Sequence, residues 1–424
     1  MRRQRIPGLS LAIVKDGKIV KARGYGRANL ETDTPATEKT VYKIASVSKQ
    51  FLAAGIMLLA QDGKVDLDDH VGKYFPDAPE SWKEITLRHL LSHTSGLIRD
   101  IPNFDPLKEI TDADAIKTAY AAPLQFAPGA KWLYSNVGYY ILAEIITRVS
   151  GKHWSDFLNE LVFSPLKMTR TRTTTVTVIV PDRANGYSMT GRGPQNADVW
   201  FALRPSGAFI STVVDMAKWD AALSSDLVLT AATKEQMWAP AKLNDGSTAK
   251  YGYGWFVEPV NGHRRVYHDG GLPGFRTTMV RFPDDKLTII LLSNLDSAEI
   301  PKMARMISGF YLPAVAPVPE KALTDTEPEI TAKVRSLIDG FINGNLDKNL
   351  LAPDIAAEIN DRMVKILSTE LSSSGKINAV TLVEKTVKND KRTYRYRLDY
   401  KNDSFYFVCT FDKDNKIVGF GTSD

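Results

Sequence analysis

Apolar residues crowd Leu9-Ser-Leu-Ala-Ile-Val14 and return in Ile19-Val-Lys-Ala-Arg23. Between them, Lys15-Asp16-Gly17-Lys18 carries the Asp-Gly pair that favours a tight hairpin turn, so the chain is expected to open in a sheet. From Lys49 to Gln61 the period changes to that of a helix, with Phe51, Leu52, Ile56 and Leu59 on one face and Asp62-Gly63 as its stop. A helix-rich stretch follows to about Pro240, broken by loops such as Phe126-Ala-Pro-Gly129. Strands are then expected at Tyr253–Val257, Val266–His268, Phe275–Phe282 and Leu287–Ser293. Strands at both ends with helices between them predict an α+β fold: an antiparallel sheet flanked by helices, its halves joined by a large helical insertion.

Residues 311–328 carry Pro313, Pro317, Pro319 and Pro328 with few bulky side chains, which is linker composition. The pattern thus divides the chain into a domain at 1–310, a Pro-rich linker at 311–328 and a small α+β domain at 329–424. In the last, helices are expected near Ile330–Asn343 and Ile355–Leu371, followed by alternating strands. Tyr394, Tyr396, Leu398 and Tyr400 interleave with Arg395, Arg397 and Asp399, and Phe405, Phe407, Cys409 and Phe411 mark the next strand.

Composition narrows the function classes. The 424 residues are 43% apolar and 24% charged, ordinary globular usage. Lys and Arg number 54 against 49 Asp and Glu, and a formal charge of +5 lends nucleic-acid binding no support. A single cysteine, Cys409, excludes an internal disulfide, and the six histidines form no zinc-ligand spacing with it. The longest apolar run, Phe51 to Ala60, is about half the ~20 residues of a membrane-spanning helix, so no span is expected. The basic N-terminus, Met1-Arg2-Arg3-Gln4-Arg5, lacks the apolar core of a signal peptide.

Candidate chemistry begins at Ser46-Val47-Ser48-Lys49, where the first sheet segment gives way to the apolar helix. Residues at i and i+3 share a helix face, so the Lys49 amine can reach the Ser46 hydroxyl, and the helix N-terminus favours an alkoxide there. A lysine of depressed pKa can serve as the base. The spacing alone is weak, because it recurs at Ser164/Lys167, Ser247/Lys250 and Ser373/Lys376. Context separates the first: Ser164 precedes Pro165, Ser247 sits in a polar loop, and Ser373 sits in a Ser-Ser-Ser-Gly turn. The competing reading of Ser46 is a helix N-cap beside a solvated lysine.

Further along stand Tyr134-Ser135-Asn136, ahead of an apolar helix, and His268-Asp269-Gly270-Gly271, at the end of a strand. Together with Ile6-Pro-Gly-Leu-Ser-Leu-Ala-Ile-Val-Lys-Asp-Gly17, Leu87-Arg-His-Leu-Leu-Ser-His-Thr-Ser-Gly-Leu97, Phe126-Ala-Pro-Gly-Ala-Lys-Trp-Leu-Tyr-Ser-Asn136 and His268-Asp-Gly-Gly-Leu-Pro-Gly-Phe275, they occur in family order over about residues 6–300. The chain resembles the serine β-lactamase and penicillin-binding-protein-like hydrolases, in particular the class C β-lactamase-type branch with its esterases, D-aminopeptidases and D,D-carboxypeptidases.

The resemblance implies a β-lactamase/transpeptidase-like fold and a set of roles. Ser46 is implied as the acylated nucleophile, Lys49 as its proton-shuttling partner and Tyr134 as a phenol that trades protons with them. Asn136, His268, Asp269 and Gly270 are implied to contact substrate, with Asn136 also fixing the lysine. The backbone N–H groups of Ser46 and Gly271 are implied as the oxyanion hole. Whether Lys49 or Tyr134 is the acylation base stays open at this level. No metal or cofactor is implied.

Two departures bear on substrate. Asp269 stands where β-lactamases carry Thr or Ser, and a carboxylate facing the site would repel penicillins; His268 replaces the usual lysine and removes a fixed positive charge. Both favour neutral esters or substrates with a free amine. The expectation is a serine hydrolase of small ester, amide or peptide substrates, a carboxylesterase or D-amino-acid-type peptidase ahead of a β-lactamase. Its rivals are a genuine β-lactamase or D,D-carboxypeptidase, and a non-catalytic penicillin-recognising binding or sensor protein.

Other residues take structural readings. His89 and His93 lie at i, i+4, but Leu90 stands where a zinc protease has Glu. Tyr251-Gly-Tyr-Gly-Trp255 reads as packing, Lys391, Arg392, Arg395 and Arg397 as a solvated face, and Cys409 as buried. The tail resembles the NTF2-like or cystatin-like fold in element order, and a homo-oligomer through it is an open expectation. Because relatives carry a helix before the first strand, an upstream segment is expected to be missing here, and the family suggests export to the periplasm or outside.

Overall fold

The Asp16-Gly17 turn forms with both residues at positive φ, 51° and 73°, and joins strand β1 (Gly8–Lys15) to β2 (Lys18–Asn29) with Lys15 opposite Lys18. The computed structural model describes residues 1–424 except 2–3, 106, 109, 176, 191–192, 199–203, 318–319, 373–374, 402–403 and 424. Arg2, Arg3, Pro319 and Ser373 from the sequence reading therefore lie outside the described residues. Two compact units are present, Met1–Pro317 and Val318–Asp424.

In the first unit, helices α1 (Lys49–Gln61), α2 (Asn136–Ser150) and α3 (Val213–Leu223) separate that hairpin from strands β3 (Val266–Leu272), β4 (Phe275–Phe282) and β5 (Leu287–Ser293). The strands form one antiparallel sheet in the order β2-β1-β5-β4-β3, with two-residue strands Thr34–Pro35 and Phe256–Val257 at its margins. The first strand pairs the last: Leu9 faces Ser293 and Lys15 faces Leu287.

Pleating sorts the side chains into two cores. Ala12, Val14, Val266, Met279, Ile290 and Leu292 join the helical insertion, while Leu11, Ile13, Val280, Phe282, Ile289 and Leu291 pack with α4 (Ile300–Tyr311). β1 is buried along nearly its whole length, as a strand covered on both faces must be. The helical stretch also holds short strands at Tyr42–Lys43, Arg172–Thr173 and Phe209–Ser211, too brief to leave a period in the sequence. Helix α1 is buried on almost every side, with Phe51 making edge contacts to Phe163 and Phe209.

The second unit has α5 (Pro328–Asn343), a short helix α6 (Pro353–Glu358), α7 (Asp361–Ser372) and a meander β6 (Ala379–Lys388), β7 (Lys391–Asp399), β8 (Ser404–Phe411), β9 (Ile417–Ser423). The helix expected over 355–371 is two helices. Ile359 is extended and the Asn360 side chain accepts from Met363 N–H, which starts a new helix. Tyr394, Tyr396, Leu398, Phe405, Phe407, Cys409 and Phe411 all point into the core. Of the basic run, Arg392 pairs with Glu327, Arg395 with Glu320 and Arg397 with Asp399. Within 311–328, Val315 is buried in the first unit's core, while Glu320 and Glu327 make their ion pairs in the second.

Candidate functional site

Ser46 stands in a four-residue 3-10 turn, Ala45–Ser48, that runs straight into α1. Ala45 enters the turn at φ 49°, an uncommon conformation for a residue with a side chain. The turn is clamped from both ends. Thr277 Oγ1 donates to the Ile44 carbonyl at 2.9 Å, and Phe209 N–H donates to Ser48 Oγ at 3.2 Å.

One helical turn later, the wholly buried Lys49 reaches back. Its Nζ lies 3.2 Å from Ser46 Oγ, 2.8 Å from Asn136 Oδ1 and 3.0 Å from the Ser206 carbonyl. Among the described residues no carboxylate forms an ion pair with it. Burial therefore holds the Lys49 amine well below the ordinary lysine range; Asp100 nearby opposes this and Arg99 adds to it. The amine also sits 4.8 Å from the centre of the Tyr134 ring.

Tyr134 is placed by the start of α2. Ser135 caps that helix, its Oγ accepting Gly138 N–H at 3.1 Å, and Asn136 N–H donates to the Arg99 carbonyl at 2.7 Å. His93 supports the same strip. Its carbonyl accepts Leu133 N–H, its Nδ1 accepts Ser135 N–H at 3.1 Å, and its ring lies 4.2 Å from that of Tyr134. Desolvation pushes the Tyr134 phenol above the usual tyrosine range, against the pull of its hydrogen bond with Ser46.

The fourth side is β3. Its short outer neighbour pairs only Val266 and Tyr267, so residues 268–272 have no strand partner on that edge among the described residues. Gly270 packs on the Ala45–Ser48 turn so closely that a Cβ would lie 2.3 Å from the Ile44 carbonyl oxygen and 2.4 Å from Thr277 Oγ1. Gly271 follows it and is exposed.

Two sequence expectations need correction here. His268 faces the site side but is buried, and both ring nitrogens are taken: Nε2 lies 2.9 Å from the Tyr251 hydroxyl and Nδ1 2.6 Å from the Asp269 carbonyl. Burial drives its pKa down to about 3, so it is a neutral internal group with no free nitrogen for substrate. Asp269 lies on the opposite face. It sits across from Thr278, and the parity of the pleat groups it with Tyr267 and Val280 rather than with His268 and Gly270. The repulsion of penicillins expected from Asp269 loses its geometric basis.

The structure brings together Ser46, Lys49, Tyr134 and Asn136, with Gly270 against the turn. The other described Ser-x-x-Lys matches build nothing comparable: Lys167 sits at positive φ beyond a helix end, and Lys250 pairs with Glu258. Sequence reasoning missed the Ser206 carbonyl and Asp100, read Tyr251 as packing and gave His93 a structural role in place of a zinc ligand. Among the described residues no group of three or more His, Cys, Asp or Glu converges as a metal site. His89 instead closes the capping box of the helix that starts at Leu87.

Comparison with known proteins places this geometry in context. A family model described as Beta-lactamase matches residues 1–306. The chain is 32% identical over 301 residues to penicillin-binding protein 4* of Bacillus subtilis (strain 168), an alignment covering 66% of this chain and 66% of that relative's length. Its fold is similar to that of the octameric penicillin-binding protein homologue from Pyrococcus abyssi, with a TM-score of 0.66 and 22% identity over 98% of this chain and 94% of that one. It is also similar to D-amino acid amidase from Ochrobactrum anthropi SV3 complexed with D-phenylalanine, with a TM-score of 0.62 and 28% identity over 69% of this chain and 88% of that one.

Proposed function

The chain belongs to the Beta-lactamase family of serine hydrolases, and from that premise we propose that it cleaves esters or amides by acylation of Ser46. The observation that carries the proposal is the buried amine of Lys49, held against a hydroxyl, an amide oxygen and a carbonyl, with no carboxylate in contact among the described residues. Such an amine is neutral at a far lower pH than a solvated lysine and can take the serine proton.

In this reading Ser46 Oγ attacks the carbonyl while its proton passes to Lys49 Nζ. The carbonyl oxygen becomes an oxyanion received by the N–H groups of Ser46 and Gly271. The proton then moves through Lys49 and the Tyr134 phenol to the leaving group, and water releases the acyl group by the reverse path. The opposite shifts of the two groups favour Lys49 as base and Tyr134 as a protonated relay. A carboxylesterase or a D-amino-acid-type peptidase or amidase is favoured over a β-lactamase, because the neutral, internally bonded His268 offers no cation to a penicillin carboxylate.

Intact-protein mass after mixing with a p-nitrophenyl ester or a penicillin tests this. Wild type should gain the acyl mass, faster from the ester, and Ser46→Ala should gain none and lose roughly 10⁴-fold or more of its turnover. Adducts or full turnover in the variant would remove the mechanism.

A further inference from the structure

One carboxylate is bonded directly to the acylation cluster. Asp100 Oδ1 accepts Asn136 Nδ2–H at 2.6 Å, and the same Asn136 holds Lys49 Nζ through its Oδ1 at 2.8 Å. The position of Asp100 is set by its backbone as well. The preceding Arg99 carbonyl accepts Asn136 N–H, and the segment is anchored by the buried Leu97 and Ile101 on either side. A carboxylate is not needed to orient an asparagine amide, which any carbonyl would do.

Among the described residues the second carboxylate oxygen accepts no hydrogen bond. Its nearest cation, Arg99, approaches only to 3.6 Å, and the two side chains are 68% and 51% exposed. Such a pair is weak and readily gives way to a better partner. Arg99 also leans over the Tyr134 ring at 5.3 Å, so both charges border the mouth of the site. A nitrogen on the α-carbon of an acyl group lies only two bonds from the carbonyl that Ser46 would attack. Ser46 Oγ, Lys49 Nζ, Asn136 and Asp100 form one continuous chain of contacts from that point.

We propose that Asp100 is the recognition group for a free α-ammonium on the acyl side of the substrate, so that aminoacyl amides and esters are preferred over acyl groups without the amine. This rests on Ser46 being the nucleophile, and the test separates the two. At pH 7, where an α-amine is largely protonated, kcat/KM is measured for alanine p-nitroanilide, each enantiomer in turn, and for propionyl p-nitroanilide, which lacks only the amine.

Wild type should favour one alanine enantiomer at least tenfold. Asp100→Asn should bring that ratio to within about twofold of one, and Asp100→Glu should retain a preference. A purely structural Asp100 would lower both rates together and keep the ratio, which would overturn the proposal. A wild-type ratio at or below one would also overturn it, and needs no variant to fold. Labelling by p-nitrophenyl propionate distinguishes the failures: a Ser46-dependent adduct with no amine preference refutes only the role of Asp100, while no adduct refutes the acylation it depends on.

Discussion

Substituting Gly270 by alanine strikes at the contact between β3 and the turn that carries Ser46. The new Cβ would sit 2.3 Å from the Ile44 carbonyl oxygen and 2.4 Å from Thr277 Oγ1, where about 3.0 Å is the closest real approach, so the strand and the turn must part by about 0.7 Å. Neither obstacle yields easily. One is backbone, and the other is a fully buried hydroxyl already donating to that carbonyl at 2.9 Å. Overpacking of this kind costs about 1–3 kcal/mol, and loss of the buried hydrogen bond adds about 1–2 kcal/mol. For a unit of this size the melting temperature should fall by roughly 3–8 °C. Because the Ser46 and Gly271 N–H groups lie on the two parts being separated, kcat on a p-nitrophenyl ester should drop roughly 10–100-fold, measured well below the melting point. Gly271→Ala is the control for stability. The atoms nearest its Cβ would belong to the exposed Arg276 side chain, whose flexible end at 2.5 Å can swing away, so its melting temperature should stay close to wild type. Wild-type kcat and melting in Gly270→Ala would refute the close-approach argument.

The pH dependence of a neutral anilide should show a single acid limb. With Lys49 as the proposed base, its protonation stops the reaction, and its lowered pKa places the loss of rate on the acid side of an ordinary lysine at ~10.4, with no fall up to about pH 10 because the Tyr134 phenol stays protonated. His268, down at about 3, should add no limb near neutrality; a rate that still climbs through pH 10, or one with an imidazole limb, would contradict the assignment. Asp269→Asn should leave the ratio of kcat/KM between an anionic and a neutral ester within about threefold of wild type. A tenfold gain for the anionic ester would put that carboxylate in the site after all.

What could be read ahead of the structure was what is local. The Asp16-Gly17 turn, the extent of the Lys49–Gln61 helix and the proximity of Ser46 to Lys49 follow from backbone preference and a three-residue spacing. The face on which Asp269 stands depends on the parity of β3 relative to two cores, which no single strand reveals. The internal bonding of His268 needs Tyr251, 17 residues away, and the third partner of Lys49 is a carbonyl 157 residues away. Asp100 carried no periodic or motif signal; only the fold of the 97–101 segment against Asn136 gives it a place.

The pairing of β1 with β5 ties residues 9–15 to 287–293. During synthesis the opening hairpin must therefore wait, with one edge bare, while nearly three hundred residues emerge, and contacts of such long sequence separation close slowly. The Ala45–Ser48 turn waits as well, because the two strands that clamp it, β3 through Gly270 and β4 through Thr277, are made late. A nascent or truncated chain ending before Leu287 would hold every side chain of the Ser46 cluster and still lack the sheet that aligns them. Activity should therefore appear only after release of the first unit from the ribosome, and that interval is when the chain is most exposed to aggregation and proteolysis.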